Sequence, residues 1–594
     1  MRYSLADFLE IRTAAASGFS PDGSKVLVNS NLSGTMQLFV VPRDGGELTA
    51  VTSFDEPVTG GYLPTSDEIL FIKDEGGNEH HQIHRIGDDG TGLRAITADP
   101  DHIHRVGGVT RDGRTLAITS NRRNGVDFDV YVHDLHTGDE RLVFDMGGWC
   151  EGSGFSPDGR FLTVYRMTNR TFDNDVYLVD LQTGDRLHIA PHESEASVSP
   201  PRWLPDGSGF FFSTEIDREF SAIAGYVLTN ASWSYVLEAD WDLSCSIDWP
   251  GRSLLVTANE DGYTKLALHD PDTIALRSEI TLPGSGITTG GFSRDGRFLG
   301  LTFVSSSEAG DAWLYEVETR HTSRLTTSPN ALARDVFVEP EVHRLSSFDG
   351  ESIPVFVYRP RSVSGHAPVV VVIHGGPESQ FVPNFNPVVQ YLVHRGYNVV
   401  APNVRGSTGY GKRFHRLDDK RKRLDSVRDL EALHAWLRSQ PGLDASRAAL
   451  WGGSYGGYMV LAGLAFQPPL WAAGVDIVGI SSLATFLENT SKWRRAFRER
   501  EYGSLEEDYD FLVEASPLAH VDDIRAPLFI IHGTNDPRVP LGEAQQVHAA
   551  LQAKGIPTEL AVYADEGHGL AKLKNRLDAY PRAVDFLDRI LRPG

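Results

Sequence analysis

The sequence predicts a seven-bladed β-propeller followed by a doubly wound, mostly parallel α/β sheet. Three observations carry that prediction. The first half repeats one hairpin-rich unit. The second half alternates apolar strands with amphipathic helices. Within the second half a glycine-flanked serine, Gly452-Gly453-Ser454-Tyr455-Gly456-Gly457, sits where a strand gives way to a helix.

The repeating unit is an aromatic or apolar residue, a turn built on Pro-Asp-Gly or a variant, and a burst of strand formers. Phe19-Ser20-Pro21-Asp22-Gly23 precedes Val26-Leu27-Val28, and Phe155-Ser156-Pro157-Asp158-Gly159 precedes Phe161-Leu162-Thr163-Val164. The turn glycines Gly113, Gly159, Gly207, Gly251 and Gly296 stand 46, 48, 44 and 45 residues apart. Gly23 lies two such periods before Gly113, with a unit around Tyr62 between them. Most units add a second hairpin, as where Asp129-Val130-Tyr131-Val132 runs toward Thr137-Gly138. Asp-Gly and Thr-Gly turns between alternating strands are hairpin signals. A period in the mid-forties with four strands per unit is the spacing of a propeller blade. Seven units predict seven blades over residues 1–335, N-terminal segment included. The turn aspartates then belong to turn chemistry and not to binding sites.

Around residues 333–342 the period stops, and residues 336–594 read as a second domain. After a hairpin, apolar strands are expected at 368–373, 397–401, 448–451, 473–477, 528–531 and 558–563. Helices fall at 426–439, 455–465, 542–554 and 570–591. Continuous apolar strands between helices mean a parallel sheet covered on both faces. The active crevice of such a sheet lies beyond the carboxyl ends of its strands.

Composition narrows the function classes. With 594 residues, 40% hydrophobic and 23% charged, the chain is a globular protein of more than one domain. A net charge of −24 without a long basic tract argues against nucleic acid and anionic membranes as partners. Cys150 and Cys245 are the only cysteines, too few for a disulfide framework or a cysteine-rich metal site. Residues 1–10 lack the apolar run of a signal peptide, and no window is long enough to span a bilayer. A cytoplasmic location is expected. Glu79-His80-His81-Gln82-Ile83-His84 reads as an alternating blade strand rather than a metal cluster, so neither metal nor cofactor is expected. The basic run Lys492–Arg500 is either a solvated helix face or a crevice lining that captures a substrate carboxylate.

The serine turn implies a nucleophile lifted clear of the sheet, backed by the positive end of a helix. An alcohol needs a base in contact, and the base needs a group that holds its tautomer. In this fold type the partners follow the serine in the order acid, then histidine. Asp536 ends the strand segment Leu528-Phe529-Ile530-Ile531-His532-Gly533, and His568 sits among Glu566, Gly567 and Gly569 after the next strand. Ser454, Asp536 and His568 therefore form the expected triad. Asp565 and Glu566 are nearer His568 along the chain, but adjacency does not orient a carboxylate. His532 is read as structural. The oxyanion donors are expected to be the N–H of Tyr455 and that of Gly376 in His374-Gly375-Gly376-Pro377, with Gly375 as the alternative.

With these motifs the chain resembles the prolyl oligopeptidase family of serine peptidases. The resemblance also includes Asn403-Val404-Arg405-Gly406-Ser407-Thr408-Gly409-Tyr410-Gly411. It implies a seven-bladed propeller joined to an α/β-hydrolase domain, and it implies short peptide substrates, because the propeller roofs the site and excludes folded proteins. Ser454-Tyr455-Gly456-Gly457-Tyr458 is similar to the acylaminoacyl-peptidase branch and to dipeptidyl peptidases. Tyr455 stands where a proline-specific endopeptidase usually has asparagine. In the acylaminoacyl branch an arginine two residues after the catalytic aspartate binds a substrate carbonyl, and Arg538 matches that position. The rival readings are a carboxypeptidase or aminopeptidase of the same family, an esterase or amidase using the same triad, and a propeller scaffold with a dead hydrolase domain. Which peptide end is recognised stays open, as does oligomeric state, a homo-oligomer included.

Overall fold

The structure, a computed structural model, describes residues 3–361 and 365–592. Seven four-stranded antiparallel sheets occupy residues 14–50, 59–95, 104–144, 150–189, 202–237, 242–280 and 287–324. Each is built from four consecutive strands, so no blade borrows a strand from another. The ring closes by side-chain packing instead. Ala14, Val26 and Val28 of the first blade share an apolar cluster with Ala312 and Leu314 of the seventh. The Ala16 N–H also donates to Thr302 Oγ1 at 2.9 Å.

The repeated turns join the first and second strands of each blade, and local chemistry holds them. Asp22 Oδ1 accepts from the Ser24 N–H at 2.9 Å and from the Ser20 hydroxyl at 2.7 Å. Asp158 accepts from the Ser156 hydroxyl at 2.6 Å and from the Arg160 N–H at 3.1 Å. The glycine that follows has φ of +70° at Gly23 and +73° at Gly159, a conformation glycine adopts without a Cβ penalty.

The second domain carries one eight-stranded sheet: β1 (Glu341–Ser346), β2 (Ser352–Tyr358), β3 (Ala367–Ile373), β4 (Asn398–Pro402), β5 (Leu443–Gly453), β6 (Ala473–Ile477), β7 (Leu528–Gly533) and β8 (Thr558–Tyr563). Its order is β1-β2-β4-β3-β5-β6-β7-β8. β2 pairs antiparallel with β1 and β4, and every other pairing is parallel. Alternate residues of each strand feed two cores. Val369, Val371 and Leu450 pack beneath Leu430 and Leu433, whereas Val370, Ala449 and Trp451 pack with Leu392 and Phe586 on the other face. Helices therefore cover both faces.

An N-terminal helix, α1 (Leu5–Leu9), precedes the propeller in sequence but packs on the sheet domain. Leu5, Phe8 and Leu9 form an i, i+3, i+4 apolar stripe. Phe8 meets Tyr391 at 5.4 Å and Phe337 at 6.1 Å between ring centroids. Grouping the N-terminal segment with the blades misses this, because a five-residue stripe does not announce which core receives it. The helices that frame the carboxyl edge and the faces of the sheet include α2 (Pro387–His394), α3 (Arg423–Leu437), α4 (Tyr455–Phe466), α5 (Lys492–Tyr502) and α6 (Leu573–Leu591).

The structure also corrects the reading of residues 79–84. The strand begins at Gln82, and Glu79, His80 and His81 lie in the loop before it. Gly76, Gly77 and Glu79 all have positive φ, which holds the chain out of a ladder. Among the described residues no helix is long and apolar enough to cross a membrane.

Candidate active site

Four loops leave the carboxyl ends of parallel strands along one edge of the sheet. β3 leads to His374-Gly375-Gly376-Pro377, β5 to Ser454, β7 to Asp536 and β8 to His568. β3 and β5 are neighbours, with Ile373 opposite Gly452. The glycine loop therefore flanks the serine: a Cβ placed on Gly375 would lie 3.5 Å from Ser454 Cβ.

Ser454 has φ +57° and ψ −117°. For a residue with a side chain, such a conformation costs roughly 1–3 kcal/mol and persists only where the surroundings enforce it. They do so here. The Ser454 N–H donates to Ile477 O at 2.8 Å. The chain then packs so tightly that a Cβ on Gly452 would stand 2.2 Å from Gly456 O, and one on Gly456 would stand 2.3 Å from Ile373 O. Only glycine fits either position. α4 begins at Tyr455, so its free N–H groups and positive dipole end lie at the serine. Among the described residues, neither the Tyr455 N–H nor the Gly376 N–H has a protein acceptor.

The Tyr455 side chain points the other way, into a buried ionic network. Its hydroxyl lies 2.8 Å from Ser426 Oγ and donates to Asp418 Oδ2 at 3.2 Å. Asp418 pairs with Arg423, which reaches Glu501 of α5 at 2.8 Å. Burial pushes the Asp418 carboxyl up to about 6 against the opposing pull of Arg423. The tyrosine after the serine thus ties the strained turn to α3 and α5.

His568 Nδ1 lies 2.7 Å from Asp536 Oδ2. The other oxygen, Asp536 Oδ1, accepts from the N–H groups of Arg538 at 2.8 Å and Val539 at 3.0 Å. This carboxylate is buried, takes hydrogen bonds on both oxygens and is aimed at one imidazole nitrogen. The competing acids are occupied elsewhere. Asp565 pairs with Lys572 and Lys574, and Glu566 accepts from the N–H groups of Ala571 and Lys572. His532 is buried, with Nε2 2.9 Å from Val539 O. Arg405, in the glycine-rich motif after β4, is also structural: it bridges Asp349 and Asp429.

The propeller contributes to this edge through the second blade. Asn535 Nδ2 donates to Gly76 O at 2.9 Å, and a Cβ on Gly77 would meet Gly567 N at 2.5 Å. Arg538 Nε donates to Glu79 at 2.5 Å, while its terminal nitrogens make no hydrogen bond among the described residues. A cleft of about 550 Å³ is lined by Glu79, His81, Arg538, Gly567 and His568. Sequence reasoning misses Glu79 in this place, since nothing in its neighbours beyond the paired glycines marks an interdomain loop. The basic run 492–500 proves to be α5, wedged between the domains rather than solvated. Trp493 packs on Trp149 at 5.2 Å and Phe128 at 5.5 Å, and Arg500 donates to Thr168 O at 3.1 Å.

Residues 383–594 match the model of the prolyl oligopeptidase family. That segment is a prolyl oligopeptidase family domain. The chain is a serine peptidase. It is 27% identical over 580 residues to dipeptidyl aminopeptidase BIII of Pseudoxanthomonas mexicana, covering 94% of this chain and 84% of that protein. It is 26% identical over 226 residues to the acylamino-acid-releasing enzyme of Rattus norvegicus, covering 37% of this chain and 31% of that protein. A puromycin-hydrolysing peptidase of Mycobacterium tuberculosis superposes with a TM-score of 0.86 at 19% identity, covering 100% of this chain and 96% of that chain. That likeness speaks to the two-domain fold.

Proposed function

We propose that this prolyl oligopeptidase family member cleaves short peptides through an acyl-enzyme formed on Ser454. His568 takes the Ser454 hydroxyl proton as the oxygen attacks the scissile carbonyl, and Asp536 holds the imidazole and stabilises its cation. The N–H groups of Tyr455 and Gly376 receive the oxyanion. His568 then returns the proton to the leaving amine, and water, activated by the same imidazole, releases the acyl group. Arg538 offers its unused guanidinium N–H groups to a substrate carbonyl. The 2.7 Å contact between His568 and Asp536, at the edge where Ser454 is held strained, carries this reading. The propeller limits substrates to peptides short enough to enter the cleft beside His568. We place the domain junction at residues 335 and 336, with α1 an N-terminal extension docked on the catalytic domain.

On substrate end, the acylaminoacyl-peptidase reading is favoured by Glu79. This carboxylate faces the cleft but is already engaged by Arg538, so it serves a blocked amino end better than a free ammonium. A dipeptidyl aminopeptidase activity is the second reading, favoured by the relative matched over 94% of the chain. A peptide library blocked at the amino end, the carboxyl end or neither, read by mass spectrometry, tests both. Acylated peptides cleaved at least tenfold faster than their free-amine counterparts support the first. The reverse ratio supports the second. Ser454→Ala should lose all turnover in each arm while keeping its unfolding temperature, and retained turnover overturns the nucleophile.

A further inference from the structure

The side chain of Arg494, 4.0 Å from the cleft-lining Glu79, is a feature that the proposed reaction leaves unused. It lies on the first turn of α5, whose start is stitched to the Asp536 loop. The Ser491 hydroxyl donates to Pro537 O at 2.8 Å, and the Thr490 hydroxyl donates to Arg538 O at 2.8 Å. The next residue back, Trp493, is docked among Phe128 and Trp149 beside blades three and four. Backbone and neighbour are thus both fixed, which gives the guanidinium a defined position.

That guanidinium is only 15% exposed, and it makes no hydrogen bond among the described residues. Its one ionic neighbour is Glu79, at 4.0 Å. Every carboxylate close to it has a nearer partner. Glu79 is held by Arg538, Asp536 by His568, and Glu378 by Arg498 at 3.4 Å. Burial, with the like charges of Arg498 and Arg538, pushes Arg494 down to about 9, against Glu79 and Asp536. The Trp493 ring face, 4.9 Å away, and the distant Glu79 are its only charge-compensating contacts among the described residues. A largely buried cation with no close acceptor is expensive to maintain, and a guanidinium presents a planar fork matched to a carboxylate.

We infer that Arg494 is a specificity-determining residue whose partner arrives with the substrate: a peptide carboxylate, placed against α5 and across from Glu79. This rests on the proposed peptidase reading of Ser454. A peptide offers such a group in two ways, as its C-terminal carboxylate or as an Asp or Glu side chain near the scissile bond, and both present the same acceptor. The site does not touch the reacting atoms, so its contribution belongs in KM.

The test uses the full chain and three matched short peptides. One has a free C-terminus and neutral side chains, one has the same sequence as the C-terminal amide, and one is the amide with a single acidic side chain. A neutral aryl ester of the same acyl group reports the catalytic machinery independently. In wild type at least one carboxylate peptide should be preferred over the neutral amide by roughly tenfold or more in kcat/KM. Arg494→Met should erase that preference through KM and leave ester turnover unchanged. Arg494→Lys should restore part of it. The arm that loses its advantage identifies the source of the carboxylate. Equal losses on carboxylate and neutral peptides, or no wild-type preference for either carboxylate, overturn the inference. Loss of ester turnover in wild type would instead overturn the peptidase reading itself.

Discussion

Each blade ends in two kinds of connection, and they differ in almost every physical respect. The turn between the first and second strands is closed by residues two to five positions away, as Asp22 closes on Ser20 and Ser24. The loop between the second and third strands finds its partners in the other domain. In blade two, Glu79 reaches Arg538. In blade four, the Thr171 hydroxyl donates to Arg500 O. In blade five, Glu215 O and Glu219 O accept from Lys412, and in blade six Asp261 pairs with Arg344. Electrostatics follow the same division. Backbone and hydroxyl donors pull Asp22 down to about 2, whereas burial pushes Glu215 up to about 7. One end of the propeller is folded by its own local sequence, and the other is completed by the catalytic domain.

The sharpest way to break this contrast is to add a side chain at matched glycines on the two ends. Gly77 and Gly23 have nearly the same φ, +77° and +70°. A Cβ at Gly77 meets the backbone of Gly567, next to His568, while one at Gly23 meets nothing within 4 Å. Gly77→Val should cut kcat/KM by roughly a hundredfold or more, since small displacements of a catalytic group cost about that much. Steady-state kinetics on one short peptide checks this.

The next effect is smaller. Glu79→Gln keeps the shape of the blade-two loop but removes the charge that holds Arg538. KM should rise about fivefold with kcat nearly unchanged, the pattern of a lost orienting charge-assisted hydrogen bond. A fall in kcat alone would place Glu79 in the chemical step instead.

Proton linkage separates the two ends by pH. The Glu215 pKa is raised on folding, so its favourable contribution is complete below about 4.5 and is lost as pH rises through about 7. Glu215→Gln, neutral throughout, should match wild type in unfolding temperature near pH 4.5 and exceed it by a few degrees at pH 8. The Asp22 pKa is lowered, so its contribution is present above about 4 and lost as pH falls through about 2. Calorimetry at pH 4.5 and pH 8 reads the Glu215 effect directly.

The smallest effect is expected at the local end. Gly23→Ala should cost about 1 kcal/mol of stability, the strain of a Cβ at positive φ, with no change in kcat/KM. Denaturant unfolding paired with the same peptide assay checks it.

The same contrast explains what could be read in advance. Asp22-Gly23 and Asp158-Gly159 reveal a blade because turn chemistry is written in adjacent residues. Gly452, Ser454 and Gly456 mark the proposed nucleophile because the elbow leaves room for nothing larger. Strand order then puts Asp536 and His568 at the same edge. Glu79 and Arg494 carry no such local mark: Arg538 and Glu79 are 459 positions apart, and the reason for each lies in the other. α1 escapes for a related reason, since Leu5, Phe8 and Leu9 define a stripe but not its destination. Arg405 and its motif are legible as a pattern, although their role is to bridge Asp349 and Asp429.

The proposed convergence of Ser454, His568 and Asp536 is tested most directly by fluorophosphonate labelling of the folded protein, with the modified peptide located by mass spectrometry. Wild type should carry a single adduct on the Ser454 hydroxyl, and His568→Ala should slow its formation by about a thousandfold. An adduct on another residue, or labelling of Ser454 at the wild-type rate without His568, would contradict the triad.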